Sequence, residues 1–314
     1  MNPQDKKRAI VLITILMDYQ KKNAPTLPGI DPAGYRDCLV RQIIDSLRRI
    51  EFANHLTRAK HDPSRMDPSS DIFDPLRAAV LHLRKGQNDE AWWLIFLATH
   101  FGKHHKDGWQ LVRDIYGRLG QGGLWDWKTI SRNPGDFRVW LKANIAILRS
   151  TPPTRRFSNH RKYETLNPDS TKGTAVAIES YVEWVSAFGS HSNIIRSMHS
   201  GVGQNPEEVF AALYQSMNAV QRFGRLGKFD FLAMLGNLGI APISPGSAFL
   251  MGATGPLAGA RLLFFGNATN PASASILESK LRDFGKTTGL GMQVLEDSLC
   301  NWQKSPGTYQ RFRG

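Results

Sequence analysis

The chain has 314 residues, 41% hydrophobic and 21% charged, which excludes a largely disordered protein and leaves length for one large core or two lobes. Forty Lys and Arg against 27 Asp and Glu give a formal net charge of +13, which favours a polyanionic partner, nucleic acid ahead of an acidic membrane surface. Only Cys38 and Cys300 are present, far apart in helix-like surroundings, which argues against a disulfide framework and for a reducing cytoplasm.

In chain order, "DKKRAIVLITILMDYQKK" holds an apolar stretch, Ile10–Met17, that ends at Asp18. It lacks a small-residue cleavage site and is too short to cross a bilayer, so it reads as a buried first helix. "YRDCLVRQIIDSLRRIEFANHL" places Leu39, Ile43, Ile44, Leu47 and Ile50 on one helical face with most charges opposite, a surface helix docked on a core. "HDPSRMDPSSDIFDP" is an irregular loop, followed by a helix that closes near Lys85. "NDEAWWLIFLATHFG" has Asn88 as N-cap candidate and Gly102 as stop, and its nearly all-apolar interior belongs at the centre of a lobe. "STPPTRRFSNHRKYETLNPDSTKGT" is the seam between an N-terminal helical lobe, 1–165, and a C-terminal helical lobe, 166–314. "NPEEVFAALYQSMNAVQRFG" has an Asn205 cap, Pro206 at the first helical position, Glu207 and Glu208 against the dipole, and Gly224 at its end. Alternating strand patterns are scarce, so the fold class is mainly α.

"GATGPLAGARLLFFG", residues 252–266, sets a glycine-rich corner before an apolar helix that starts at Pro256. A preceding helix ending at Gly239 and a Pro245–Gly246 turn make this the layout of a helix-hairpin-helix. In that motif Gly252 and Gly255 would let backbone N–H groups approach a DNA phosphate. The alternative is a tight turn with glycines for helix packing. A nucleotide loop is disfavoured, since no Lys follows in register and no strand precedes.

Between Asp136 and Glu164 there is no acid, while Arg138, Lys142, Arg149, Arg155, Arg156, Arg161 and Lys162 are all basic, with Phe157, His160 and Tyr163 interleaved. Such a run suits a surface that grips phosphates and stacks on a displaced base. "THFGKHHKDGW" adds His100, Lys103, His104, His105, Lys106 and Trp109. His100 and His104 have zinc-pair spacing, but Gly102 interrupts the helix and no carboxylate stands in place, so no metal is assigned and His100 reads as a core histidine. The DNA-contacting candidates are Lys103, Arg155, Arg156, Arg161, Lys162 and Lys304 beside the two glycines; His104, His160 and Trp109 are the base-pocket candidates. In the tail, Glu296 and Asp297 read either as surface charge or as the carboxylate that glycosidic cleavage needs against an oxocarbenium-like sugar.

Taken together, "WLIFLATHFGKHHKDGW", "RRFSNHRKYETL", "SYVEWV", "FDFLAMLGNLGIAPISPGSAFLMGATGPLAGARLLF" and "GLGMQVLEDSLCNWQKSP" resemble the alpha-glutamyl/putrescinyl thymine pyrophosphorylase clade 3 family, over residues 70 to 314. The resemblance implies a two-lobed helix-hairpin-helix DNA glycosylase-like fold. It also implies chemistry on modified pyrimidines in phage DNA: either displacement of a pyrophosphate on thymine by an amine, or excision of bases such as glucosylated hydroxymethylcytosine in anti-phage defence. Glycosylases of that kind carry a catalytic Asp near the start of the helix after the hairpin. Here Ala274 occupies that place, which leaves Glu278, Asp283, Glu296 or Asp297, with Asp297 favoured. The expectation is therefore a DNA glycosylase, without cofactor and monomeric, acting on double-stranded phage DNA and not at a membrane. A transferase on modified thymine and a non-catalytic DNA-binding module are the alternatives.

Overall fold

The computed structural model describes residues 1–22 and 27–311. Among them the regular elements are helical: α1 (Pro3–Lys22), α2 (Tyr35–Arg58), α3 (Pro75–Arg84), α4 (Asn88–Phe101), α5 (Gln110–Tyr116), α6 (Trp127–Ile130), α7 (Pro134–Arg149), α8 (Thr174–Ser186), α9 (His191–Val202), α10 (Pro206–Ser216), α11 (Arg225–Asn237), α12 (Gly255–Phe265), α13 (Ala274–Thr288) and α14 (Met292–Trp302). The fold is all-α. Among the described residues a lone antiparallel bridge, His104 to Gly108, is the β-type feature.

The chain forms two compact units, and the first is discontinuous: Met1–Phe52 with the segment from Pro245 onward, against Ala53–Ser244. The segment expected as the seam, 150–174, lies inside the second unit.

In the first unit, Leu12 and Leu16 of α1, Leu39, Ile43 and Ile44 of α2, Leu263 of α12, Leu277, Leu281 and Phe284 of α13, and Leu295, Leu299 and Trp302 of α14 share one core. The Arg48 guanidinium reaches the buried Asp5 carboxylate and ties α2 to the start of α1. Trp302 Nε1 donates to the Tyr35 carbonyl at 3.1 Å. The first helix is not buried throughout, as its sequence suggested: Ile10 and Val11 are 66% and 58% exposed, because only the face carrying Ala9, Leu12 and Leu16 meets the core.

The second unit is built around α4, whose Trp92 to Leu97 are all buried. Its rings set the packing: the Phe96 centroid stands 3.9 Å from Tyr181, 4.7 Å from Phe223 and 5.4 Å from Trp93. Two expected ends shift. Gln87 rather than Asn88 precedes α4 as the capping residue, so Asn88 opens the helix itself. The helix capped by Asn205 stops at Ser216, since Met217–Ala219 tighten into a 3-10 turn, and a separate helix begins at Arg225. The Asn205 cap itself forms, its Oδ1 accepting from the Glu207 and Glu208 amides.

Candidate nucleic-acid interface

In the second unit, the sequence brings the basic candidates together at the C-terminal end of α4. The helix stops at Gly102, whose φ is +68° and whose missing side chain makes room for Ser158: a Cβ there would lie 2.1 Å from the Ser158 hydroxyl. Ser158 N donates to the Phe101 carbonyl at 2.9 Å, so the basic segment is laid against the helix end. Arg161 fastens it, with Nε donating to the Thr99 carbonyl at 2.8 Å and a second nitrogen 2.9 Å from the Asp230 carboxylate. Beyond Gly102 the chain turns back through the His104–Gly108 bridge, with N···O distances of 3.0 and 2.9 Å.

Inside that turn His104 is buried, and burial holds its pKa below the ordinary value. Asp107 lies 2.8 Å from His104 Nδ1 and takes a two-pronged hydrogen bond from Arg156, at 2.6 and 2.9 Å. That Arg156 bond, first of all, pulls the Asp107 pKa down. Arg155 is committed differently: its guanidinium is buried on Asp114, at 2.5 Å, and on the Ile147, Ser150 and Pro153 carbonyls. The acids of this region are thus consumed within the protein. Lys103, His105, Lys106 and Lys162 stay exposed, and Tyr163 is 78% exposed with Lys162 Nζ 5.1 Å from its ring centroid. Lys103 Nζ stands 5.7 Å from the half-buried Trp109 ring, whose indole nitrogen has no hydrogen-bond partner. His160 is exposed on the same segment. Lys103, His104, Trp109, Arg156, Arg161 and Lys162 thus lie on two segments joined at the end of α4, with Arg155 underneath as a clamp.

In the first unit the glycine corner differs from its expected form. No helix borders Gly252 on its N-terminal side, since α11 ends at Asn237, and Gly252 is exposed. Gly255 and Gly259 serve packing: Cβ atoms there would lie 2.6 Å from Cys300 Sγ and 2.3 Å from the Leu299 carbonyl oxygen, so the pair lets α12 cross α14 closely. The layout of helix, glycine turn and helix appears instead at Gly289-Leu290-Gly291, between α13 and α14. Leu290 is buried there, both glycines are exposed, and α14 starts without a side-chain cap. The same signal used for Gly252, glycines ahead of an apolar-periodic helix, was present in "GLGMQVLEDSL".

The four candidate carboxylates sit apart in role, and Asp283 is exposed on α13. Glu278 accepts from the Ser247 hydroxyl at 2.6 Å, the Ala248 amide at 3.2 Å and the Leu250 amide, so it holds the 247–250 loop. Glu296 is 5% exposed. Asp297 is partly exposed, paired with Arg49 and accepting from Asn301 Nδ2 at 3.0 Å. Lys304 is exposed, with Nζ 3.0 Å from Asn301 Oδ1. His100 is buried as expected, its Nε2 3.1 Å from the Thr174 hydroxyl, and burial pushes its pKa down to about 3.

Sequence reasoning missed a polar network at the other end of α4. Asp89 Oδ1 accepts from His191 N at 3.1 Å and from His191 Nδ1 at 2.7 Å, while the Tyr181 hydroxyl lies 2.8 Å from His191 Nε2. Next to it, Glu90 accepts from the Trp127 amide at 2.6 Å and the Tyr116 hydroxyl at 2.7 Å, and burial raises its pKa to about 7. The acids were legible only as helix-dipole partners, since His191 is 102 residues away. Among the described residues no group of three or more His, Cys, Asp or Glu is arranged to hold a metal ion. No helix of the described residues is long and apolar enough to cross a membrane.

Compared with known proteins, the chain matches the family described as alpha-glutamyl/putrescinyl thymine pyrophosphorylase clade 3 over residues 34–314, and it belongs to that family. The name denotes enzymes acting on modified thymine. Comparison with curated proteins and with solved structures returns no match.

Proposed function

We propose that this member of the thymine pyrophosphorylase clade 3 family is a DNA glycosylase that removes a hypermodified pyrimidine from phage DNA and leaves an abasic site, in anti-phage defence. The observation that carries the reading is the surface at the end of α4. Its acids, Asp107, Asp114 and Asp230, are each bound to an arginine within the protein, while Lys103, Lys106, Lys162 and Tyr163 face outward. Cations without counter-acids take up backbone phosphates, and an outward aromatic stacks on an unpaired base. In the first unit the exposed glycines Gly252, Gly289 and Gly291 carry backbone amides of the kind that meet a phosphate. Asp297 is the carboxylate proposed to stabilise the sugar cation, because Glu278 is bound up in its loop and Glu296 is buried.

Excision requires the base to leave the stack, at a cost of a few kcal/mol that stacking and pocket hydrogen bonds offset. Incubation with glucosylated phage DNA followed by hot alkali is expected to nick the strands, and Asp297→Asn is expected to abolish the nicks. Intact strands on every modified DNA would reject the glycosylase. Release of pyrophosphate from a pyrophosphorylated thymine substrate without abasic sites would assign the transferase instead. Salt-dependent binding with neither product would leave a DNA-binding module.

A further inference from the structure

Helix α1 carries a face that the first unit leaves uncovered. Ala9, Leu12 and Leu16 point into the core, whereas Ile10, Val11 and Met17 are 66%, 58% and 40% exposed. The exposed residues Gln4, Lys7, Val11, Thr14, Asp18 and Lys21 follow one another at alternating steps of three and four, the spacing that keeps a stripe on one side of a helix pair. A groove of about 360 Å³ lies beside it, lined by Lys7, Arg8 and Val11 of α1 and by Leu47 and Glu51 of α2.

The stripe is its own complement. Turned end for end about the point between Leu12 and Ile13, Lys7 meets Asp18, Val11 meets Thr14 and Gln4 meets Lys21, each pairing occurring twice, and the flank that carries Ile10 and Met17 meets the same flank of the other copy. No like charges oppose one another along it. A nucleic acid would leave Ile10, Val11 and Met17 uncovered and would face Asp18. An acidic protein segment would also meet Asp18 unfavourably. A second copy satisfies both the charges and the apolar residues. We propose that α1 pairs antiparallel with α1 of a second copy, an isologous contact that makes the protein a dimer rather than the monomer expected from its sequence. The helix lies ahead of the residues that match the family, so the proposal does not rest on the glycosylase reading. One 20-residue helix per partner is a small interface, which sets the association in the micromolar range.

Sedimentation equilibrium on nuclease-treated full-length protein, from about 1 to 300 µM, tests this. The expected mass rises from 35.2 kDa toward twice that value. Val11→Glu is expected to weaken association at least about tenfold. Lys7→Asp, which sets two carboxylates against each other, is expected to weaken it about fivefold, and Lys7→Asp with Asp18→Lys to restore it. All three positions are exposed, so thermal melts of the dilute monomer stay unchanged. A mass of 35.2 kDa at every concentration, a dimer indifferent to Val11→Glu, or a double variant that fails to recover overturns the proposal.

Discussion

The two ends of α4 are both rich in polar residues, yet they do opposite things with them. At the N-terminal end Asp89, Glu90, Tyr116, Tyr181 and His191 answer one another, and His191 and Tyr181 are fully buried. At the C-terminal end Asp107 and Asp230 are answered by arginines, and a surplus of cations remains in solvent. The first end is an interior network whose worth is stability. The second is the surface proposed above to take up nucleic acid. Charge and histidine content do not distinguish them; closure of the hydrogen-bond account does.

The sharpest break of this comparison is His191→Ala. It empties a ring-sized space between Trp92 and Trp127 and strands the Tyr181 hydroxyl and Asp89, so a loss of about 3–4 kcal/mol is expected in chemical denaturation. DNA affinity of the protein that remains folded should hold, and a parallel fall in affinity would place the binding surface at the wrong end.

Glu90 gives the next effect. Its carboxyl binds a proton more tightly in the folded than in the unfolded chain, about 7 against 4.5, so its contribution favours folding below 4.5 and is lost as pH climbs to about 7. Glu90→Gln keeps an acceptor for the Trp127 amide and removes the buried charge. It is expected to stabilise by on the order of 2 kcal/mol at pH 8 and by little at pH 5. His100 acts the other way: with its pKa down at about 3, the unfolded chain takes the proton first, and stability falls as pH drops below 6.5. The difference between variant and wild-type melting temperature across pH isolates Glu90 from His100. A pH-independent difference would contradict the burial argument.

How much of this was legible in the chain differs between the ends for a physical reason. The basic end is local: Gly102 to Trp109 and Arg155 to Lys162 are short segments whose composition alone marks them. The closed network rests on the pairing of Asp89 with His191, and the Asp297 pair on Arg49 lies 248 residues off. Glycine was ambiguous because one residue serves two needs. Gly255 and Gly259 lack a side chain so that α14 can approach, and Gly289 and Gly291 stand in open space, yet the two pairs look alike in sequence. Caps were read well where a side chain does the capping, as at Asn205, and missed at Gln87, where none does.

Gly102→Ala tests whether the surface needs its foundation. The Cβ would meet Ser158 and force a positive φ on alanine, so a loss of about 1–2 kcal/mol is expected, with weaker DNA binding as the 155–163 segment lifts. Retained affinity would detach the segment from binding.

The smallest effect is also the most selective. Lys103 overlies Trp109 and Lys162 overlies Tyr163, and both side chains are exposed to solvent. Replacing either by Ala is expected to leave the melting temperature within experimental scatter, since exposed charges contribute little to folding. If each neutralises one phosphate, each loss lowers the slope of log K against log salt concentration by about 0.9, and the double variant by about twice that, because separate contacts add. The slope is the discriminating readout. A general weakening with the slope intact would mean that the lysines shape the surface without touching the backbone of the nucleic acid. An unchanged slope and affinity would move the interface away from the end of α4.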